Sequence, residues 1–330
     1  MKYVSVLIPE GDISLSNVEG VHHIFTEVNK LLRKSGKYPL FELQLVGKRK
    51  NNLLKEDYFS IHPNRLITEH FKTDLLIIPA LHTDIMKVMD QNKDLLPWIV
   101  EQHRQGTEIM SICTGAFLLA ATGLLSGKSC ATHWIHAEEF REMFPDINLL
   151  KDEIMTDENG IYTSGAAFSY LNLMLYIIEK YTDRDIMIFI SKVFAIDTNR
   201  HKQSQFIIFQ GHKHHEDNAV LQVQEFIEDH YHQKITVDEL ATLVSLGRRN
   251  LERRFKLATT NSVVEYIQRV KMEAAKKMLE SKMKSISEVM YAIGYNDSKA
   301  FRDVFKRITG MSPLEYKSRF NKSLGNLITK

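Results

Sequence analysis

The sequence predicts two domains of different class: an α/β domain built on a parallel sheet over residues 1–206, and an all-α domain over residues 220–330. Three observations predict this. Short apolar runs alternate with helical stretches through the first half, a helical pattern repeats at a spacing of 49–50 residues in the last third, and charge divides between the two. Of the 43 Lys and Arg and 41 Asp and Glu, residues 219–330 hold 20 and 13, a net of +7; residues 1–218 hold the remaining 23 and 28, a net of −5. A basic third joined to an acidic remainder suggests that one part meets a polyanion. With 330 residues, 44% of them hydrophobic, the chain has enough apolar material for two cores, which excludes wholesale disorder.

The apolar runs Tyr3–Pro9, Phe41–Gly47, Asp74–Ala80 and Glu108–Cys113 read as strands, most of them carrying β-branched residues. Between them, Val18–Lys34 and Thr83–Arg104 have helical spacing, so the sheet is expected to be parallel and covered on both faces. After Tyr162–Thr163 the pattern turns helical through Phe168–Tyr181 and Asp185–Ile196. The polar stretch Gln210–Asn218 (QGHKHHEDN) has no periodicity and places a linker at residues 207–219. Its histidines read as solvated, and no metal is expected. Two cysteines make no disulfide framework, which favours a reducing compartment. The longest late apolar run, residues 117–125, is nine residues long and far short of a membrane span, so the chain is expected in the cytoplasm.

From Gln222 onward the helices repeat. Thr236-Val-Asp-Glu239 and Ser285-Ile-Ser-Glu288 are capping boxes 49 residues apart, each opening a short apolar helix. Turns follow at Ser245–Gly247 and Gly294–Asp297. The next helices carry Leu251 and Phe255 in one copy, Phe301 and Phe305 in the other, now 50 apart, which implies one extra residue in the second turn. Ser262 and Ser312, Glu265 and Glu315, and Tyr266 and Tyr316 continue the match, with a long helix from about Val263 to Leu279 joining the copies.

Two helix-turn-helix units joined in this way resemble the AraC/XylS regulator domain, over roughly residues 220–320. The terminal pattern Ile286…Ile293-Gly-Tyr…Phe301…Phe305…Gly310-Met-Ser-Pro…Tyr316 carries the resemblance. In Gly247–Phe255, Leu251 and Phe255 share one face, leaving Arg249, Glu252 and Arg253 on another. Arg pairs with guanine and Glu accepts from cytosine, and the resemblance implies that these positions read bases in a major groove. The matching helix of the second unit offers Ser298, Lys299 and Arg302 on its outer face. Asp303 stands where the first unit has Arg253 and repels phosphate, so the second unit is expected to contribute less affinity.

In the first half, Glu108–Cys113-Thr-Gly115 reads as a strand ending in a tight turn before the helix Phe117–Leu124. This places Cys113 near a helix N-terminus, which favours a thiolate. Cys113-Thr-Gly-Ala-Phe-Leu-Leu-Ala120 with Thr132-His133-Trp and Thr163-Ser164-Gly resembles PfpI-type, class I glutamine amidotransferase-like domains, whose fold is flavodoxin-like. The combination looks like the GlxA-type regulator branch, with Gln203-Ser-Gln-Phe206 at its close. The hydrolase branch has a His directly after the Cys, where this chain has Thr114, and the position from which an acid approaches the sulfur aligns with Asn17. The resemblance therefore implies a retained small-molecule pocket around Asn17, Cys113, Thr114, Gly115, His133 and Ser164, with no catalytic residues and no cofactor. Cys113 is also a candidate redox sensor.

The reading that follows is a regulator of transcription, not an enzyme, bound to double-stranded promoter DNA. It is expected to form a homodimer through the first domain, respond to a small-molecule effector there, and have RNA polymerase as a candidate partner. The competing reading is a PfpI-like cysteine hydrolase or glyoxalase fused to a DNA-binding domain. A carboxylate within reach of Cys113 or His133 would favour it.

Overall fold

The apolar runs at residues 2–8, 41–47, 75–78 and 108–112 form the centre of one seven-stranded sheet. The computed structural model describes residues 1–321 except 51, 55–57, 83, 199–201, 214 and 282–284. In chain order the sheet strands are β1 (Lys2–Ile8), β2 (Phe41–Gly47), β3 (Arg65–Leu66), β4 (Leu75–Ile78), β5 (Glu108–Ile112), β6 (Met155–Asp157) and β7 (Ile161–Ser164). Their spatial order is β6-β7-β5-β4-β1-β2-β3. All neighbours run parallel except the β6–β7 edge pair. Leu75, Leu76, Ile77 and Ile78 of β4 are fully buried, as a strand covered on both faces requires.

The covering helices are α1 (Leu15–Lys34), α2 (Ile85–Gln91), α3 (Leu95–Arg104), α4 (Gly115–Ala121), α5 (Ala137–Met143), α6 (Tyr170–Tyr181) and α7 (Arg184–Val193). The segment expected as one helix over Thr83–Arg104 is two helices, with Thr83 itself outside the described residues. The break is at Asn92, whose buried side chain accepts from Glu10 N at 2.8 Å and donates to Val88 O at 2.7 Å and Glu10 O at 2.8 Å. Tying down the loop after β1 in this way ends the helix.

The second unit is helical: α8 (Asn218–Asp229), α9 (Val237–Leu243), α10 (Arg248–Thr259), α11 (Val263–Glu280), α12 (Ile286–Ala292), α13 (Ser298–Thr309) and α14 (Pro313–Phe320). The repeat holds residue by residue. Helices α9 and α12 open on capping boxes at Thr236 and Ser285, and both end in a left-handed residue, Ser245 (φ 54°) and Gly294 (φ 76°). The extra residue then falls in the second turn and changes the cap. Gly247 caps α10 with no side chain, whereas Asp297 Oδ1 accepts from Lys299 N at 2.7 Å and Ala300 N at 3.1 Å at the start of α13. Phe255 meets Tyr266 edge-on with ring centres 5.3 Å apart, and Phe305 meets Tyr316 at 5.5 Å. Both tyrosines donate to a glutamate at 2.7 Å, Glu228 and Glu280 respectively.

The chain divides between Gln203 and Ser204, not at residue 206, and the segment expected as a linker at 207–219 is packed onto the helical unit. Lys276 donates to Ile207 O and, at 2.7 Å, to Glu273 Oε2, which accepts in turn from Phe209 N at 3.0 Å. The Phe209 ring lies 5.1 Å from that of Tyr266, and Gly211, at φ +71°, sits so close to the Tyr266 hydroxyl that an added Cβ would lie 2.2 Å from it. His215 pairs with Gln224 at 3.0 Å, and Gln224 also donates to His212 O at 2.8 Å. His214 lies outside the described residues, and among those described no group of three metal-ligating side chains occurs. Polar composition hid this packing because the strap is held through backbone groups and one buried Lys–Glu pair.

Two stability predictions follow from these contacts. A fragment beginning at Ser204 should be more stable than one beginning at Glu216 by about 2 kcal/mol or more, since the shorter fragment loses the Phe209 ring and the buried pair's backbone partners; equal chemical denaturation midpoints would contradict this. Gly115→Ala should destabilise the first unit by about 2 kcal/mol or more, seen as a lowered Tm, because the new Cβ would lie 2.6 Å from Pro79 O and 2.8 Å from Ile78 O.

Candidate functional site

Strand order reverses between β1 and β4, and beyond the carboxyl ends of β1, β4 and β5 lies a cleft of about 400 Å³. Its walls include Ser14, Ser16 and Asn17 at the start of α1, Ala80, Leu81 and His82 after β4, Cys113 and Thr114 after β5, His133, Ile135 and His136, and the Ala167–Phe168 turn. The structure thus brings Asn17, Cys113, Thr114 and His133 together. Gly115 and Ser164 stand behind them and do not line the cleft. Gly115 allows α4 to approach the end of β4, and Ser164 contributes its carbonyl, which accepts from Cys113 N at 2.9 Å.

Cys113 adopts a left-handed backbone (φ 55°) in the turn from β5 into α4, a conformation that costs about 1 kcal/mol or more outside glycine and persists only where the surroundings hold it. Here both of its backbone groups are held, the N–H by Ser164 and the carbonyl by Thr132 Oγ1 at 2.9 Å. The residue as a whole is 6% exposed. Burial pushes the thiol up to about 11, and hydrogen bonds from Thr114 offset this only in part. The expected thiolate is therefore corrected: desolvation outweighs the polar turn, and the sulfur is a neutral thiol near pH 7. Cys130 is buried too, and burial pushes it up to about 12.

Three of the polar residues expected to face a ligand, Asn17, Thr114 and His133, are bound to backbone. Asn17 Oδ1 accepts from Ala80 N at 3.1 Å, and Thr114 Oγ1 donates to Leu81 O at 2.7 Å. Both pin the segment after β4. His133 Nδ1 accepts from Ile135 N at 3.2 Å, and burial, reinforced by neighbouring His136, holds its pKa below the ordinary histidine value. The ring is thus neutral near pH 7 with Nε2 as its donor. No carboxylate is among the described residues that line the cleft. His82, His136 and Phe168 escaped the sequence reading, since residues from different strand ends share no spacing in the chain.

In the helical unit, α10 buries Leu251, Phe255 and Thr259, while Arg249 and Arg253 are exposed. Glu252 is half-exposed and paired with Arg248 at 3.2 Å; Arg253 donates to Asn250 Oδ1 at 3.3 Å. Helix α13 buries the equivalent Phe301, Phe305 and Thr309, and exposes Ser298, Lys299, Arg302 and Asp303. Arg302 folds back on its own helix, donating to Ser298 O at 3.0 Å and Ser298 Oγ at 3.1 Å. Arg254 was not singled out in the sequence; it makes a two-pronged pair with Asp217, the cap of α8, at 2.8 and 2.6 Å.

Since burial keeps Cys113 protonated, its alkylation by iodoacetamide at pH 8 should run about tenfold or more slower than that of an unfolded control peptide. Mass spectrometry of the folded chain reads this directly, and modification at the free-thiol rate would refute it.

Comparison with known proteins agrees with both halves. Residues 39–180 match the DJ-1/PfpI family and residues 240–319 a helix-turn-helix domain family. The chain is 27% identical over 222 residues to the HTH-type transcriptional regulator GbdR of Pseudomonas aeruginosa, a match covering 67% of this chain and 60% of that protein. The regulator CdhR of the same species is 24% identical over 262 residues, covering 79% of this chain and 77% of its own length. GlxA of Rhizobium meliloti is 27% identical over 213 residues, 64% of this chain and 65% of that one. A solved structure of a candidate transcriptional regulator from Vibrio parahaemolyticus superposes with a TM-score of 0.52 at 24% identity, covering 58% of this chain and 98% of that one, which supports the fold. The chain joins an N-terminal DJ-1/PfpI domain to a C-terminal helix-turn-helix domain of the AraC type.

Proposed function

We propose that the chain is a sequence-specific DNA-binding regulator of transcription, with its recognition surface on α10 and α13 and an effector pocket in the cleft beside Cys113. The observation that carries this reading is the duplicated unit. Two helices of equal length and equivalent buried face, each followed by a helix that a serine hydroxyl caps, present exposed basic residues 50 apart at Arg249 and Lys299 and at Lys256 and Lys306. A fold that needed only one helical core has no use for that equality, whereas two successive major grooves require it.

In this reading Arg249, Glu252 and Arg253 meet base edges in one groove and Ser298, Lys299 and Arg302 in the next. Glu252 and Arg302 begin from the intrahelical contacts described above, which DNA replaces with base and phosphate contacts. The cleft, about 400 Å³ and walled by three histidines, Phe168 and Ile135 with no lining carboxylate among the described residues, suits a small polar effector. The protonated thiol and the absence of a carboxylate in that wall both speak for binding rather than nucleophilic turnover. No helix among the described residues is long and apolar enough to cross a membrane. Pairing of two copies through the first unit, and contact with RNA polymerase at the promoter, belong to the same proposal.

The test is selection of duplexes from a random-sequence pool by the full chain, followed by affinity measurements on the enriched site. Affinity should fall with salt at a log–log slope of about −0.9 per phosphate contacted. Arg253→Ala should weaken the selected site by about 1–3 kcal/mol and relax preference at one base pair, and Lys299→Ala should cost less because Asp303 lies beside it. Equal weakening on selected and random DNA by both variants would remove the groove assignment.

A further inference from the structure

The two helix-turn-helix units have separate hydrophobic cores. One gathers Leu240, Leu251, Phe255 and Tyr266, the other Met290, Phe301, Phe305 and Tyr316, and no buried side chain among the described residues belongs to both. Helix α11 runs through each, giving Val263, Tyr266 and Ile267 to the first and Met272, Ala275 and Leu279 to the second. Between these two sets stands Lys271, 6% exposed and outside both clusters.

The Lys271 ammonium donates to Gln233 O at 2.9 Å and to Ile293 O at 2.8 Å. Gln233 lies in the α8–α9 connection of the first unit; Ile293 is the C-cap of α12 in the second. Its third direction faces the Tyr295 ring, whose centre is 5.7 Å away. The same two connections touch beside it: a Cβ on Gly294 would lie 2.6 Å from His232 O and 3.1 Å from Lys271 Nζ, and Gly294 is at φ +76°. Tyr231, from the same α8–α9 connection, packs against the second core, so one buried cation and one ring close the seam between two units whose buried apolar side chains form separate clusters. Burial depresses the Lys271 pKa, so the position is an expensive one for lysine if only apolar filling were needed.

We propose that Lys271 is the positioning residue that fixes the angle between α10 and α13, and with it the spacing of the two DNA half-sites that the chain accepts. The inference rests on the reading of the chain as a DNA-binding protein. Successive major grooves on one face of the duplex lie about 34 Å apart, and one inserted base pair changes both their separation and their rotation. A rigid pair of units rejects that insertion; a pair free to hinge at residues 233 and 293 tolerates it.

The experiment uses the full chain and the duplex it selects, together with versions carrying one base pair inserted or removed between the half-sites, and one half-site alone. The wild-type chain should lose about tenfold or more on either altered spacing, the scale of one mismatched base pair. Lys271→Met, which keeps the side chain's length and removes its donors, should lose about threefold or less on the altered spacings, with half-site affinity within about twofold of wild type. Lys271→Arg retains donors for both carbonyls and should keep the spacing preference. If circular dichroism shows that Lys271→Met does not fold, Lys271→Gln, with one donor group left, is read in its place. Undiminished spacing discrimination in the Met or Gln variant overturns the proposal, and so does an equal loss on every duplex including the half-site. A wild-type chain that enriches no sequence overturns the DNA-binding reading itself, which is a separate and recognisable result.

Discussion

Each helix-turn-helix unit is three short helices, too few to close a core alone, and the constraint this sets is met by sharing α11. Its first half completes one core and its second half the other. Much else in the unit is subordinate to that sharing. Ser262 caps α11 with its hydroxyl, Tyr266 is held between Phe255, Phe209 and Glu228, and Lys276 and Glu273 on the same helix secure the strap. A single helix joins two marginal motifs into one folded unit, with polar contacts set along it between them.

The α/β unit solves a different problem, that of holding a strained turn still. The Cys113 backbone is fixed from β7 and from Thr132, and the segment facing it is fixed by Asn17 and Thr114. Gln203, fully buried, donates to Thr132 O at 3.1 Å and Lys151 O at 2.8 Å while accepting from Ala166 N at 3.0 Å, so the residues flanking His133 and Phe168 share one anchor. The outcome is a preformed cavity whose wall is set by hydrogen bonds behind it. Histidine rings and apolar groups are left to face the interior.

Much of this was legible in the sequence wherever the signal is local. Capping boxes, the apolar pairs at i and i+4 and the 49-to-50 offset all report neighbouring backbone, so the second unit could be laid out helix by helix. The four apolar runs gave the sheet for the same reason. What the sequence concealed depends on partners far along the chain. Asn17 aligned as a cleft residue, and it is one, but its amide oxygen is committed to residue 80; Cys113 sits beside a helix start, yet burial sets its acidity. The stretch QGHKHHEDN has the composition of solvent-exposed chain, and nothing within it reveals that Gln224, Arg254 and Tyr266 are its partners.

That strap has a consequence for how the protein comes into being. Ser204 Oγ donates to Thr309 O at 3.2 Å, and Phe206 meets Phe320 with ring centres 6.1 Å apart, separations of 105 and 114 residues along the chain. On the ribosome the strap emerges before every helix it will lie on, and its final partners are made last. Such long-range closures are slow relative to local helix formation. The α/β unit can therefore finish folding while residues 204–213 still lack a seat, and the last turn of α14 to leave the exit tunnel completes a contact begun more than a hundred residues earlier.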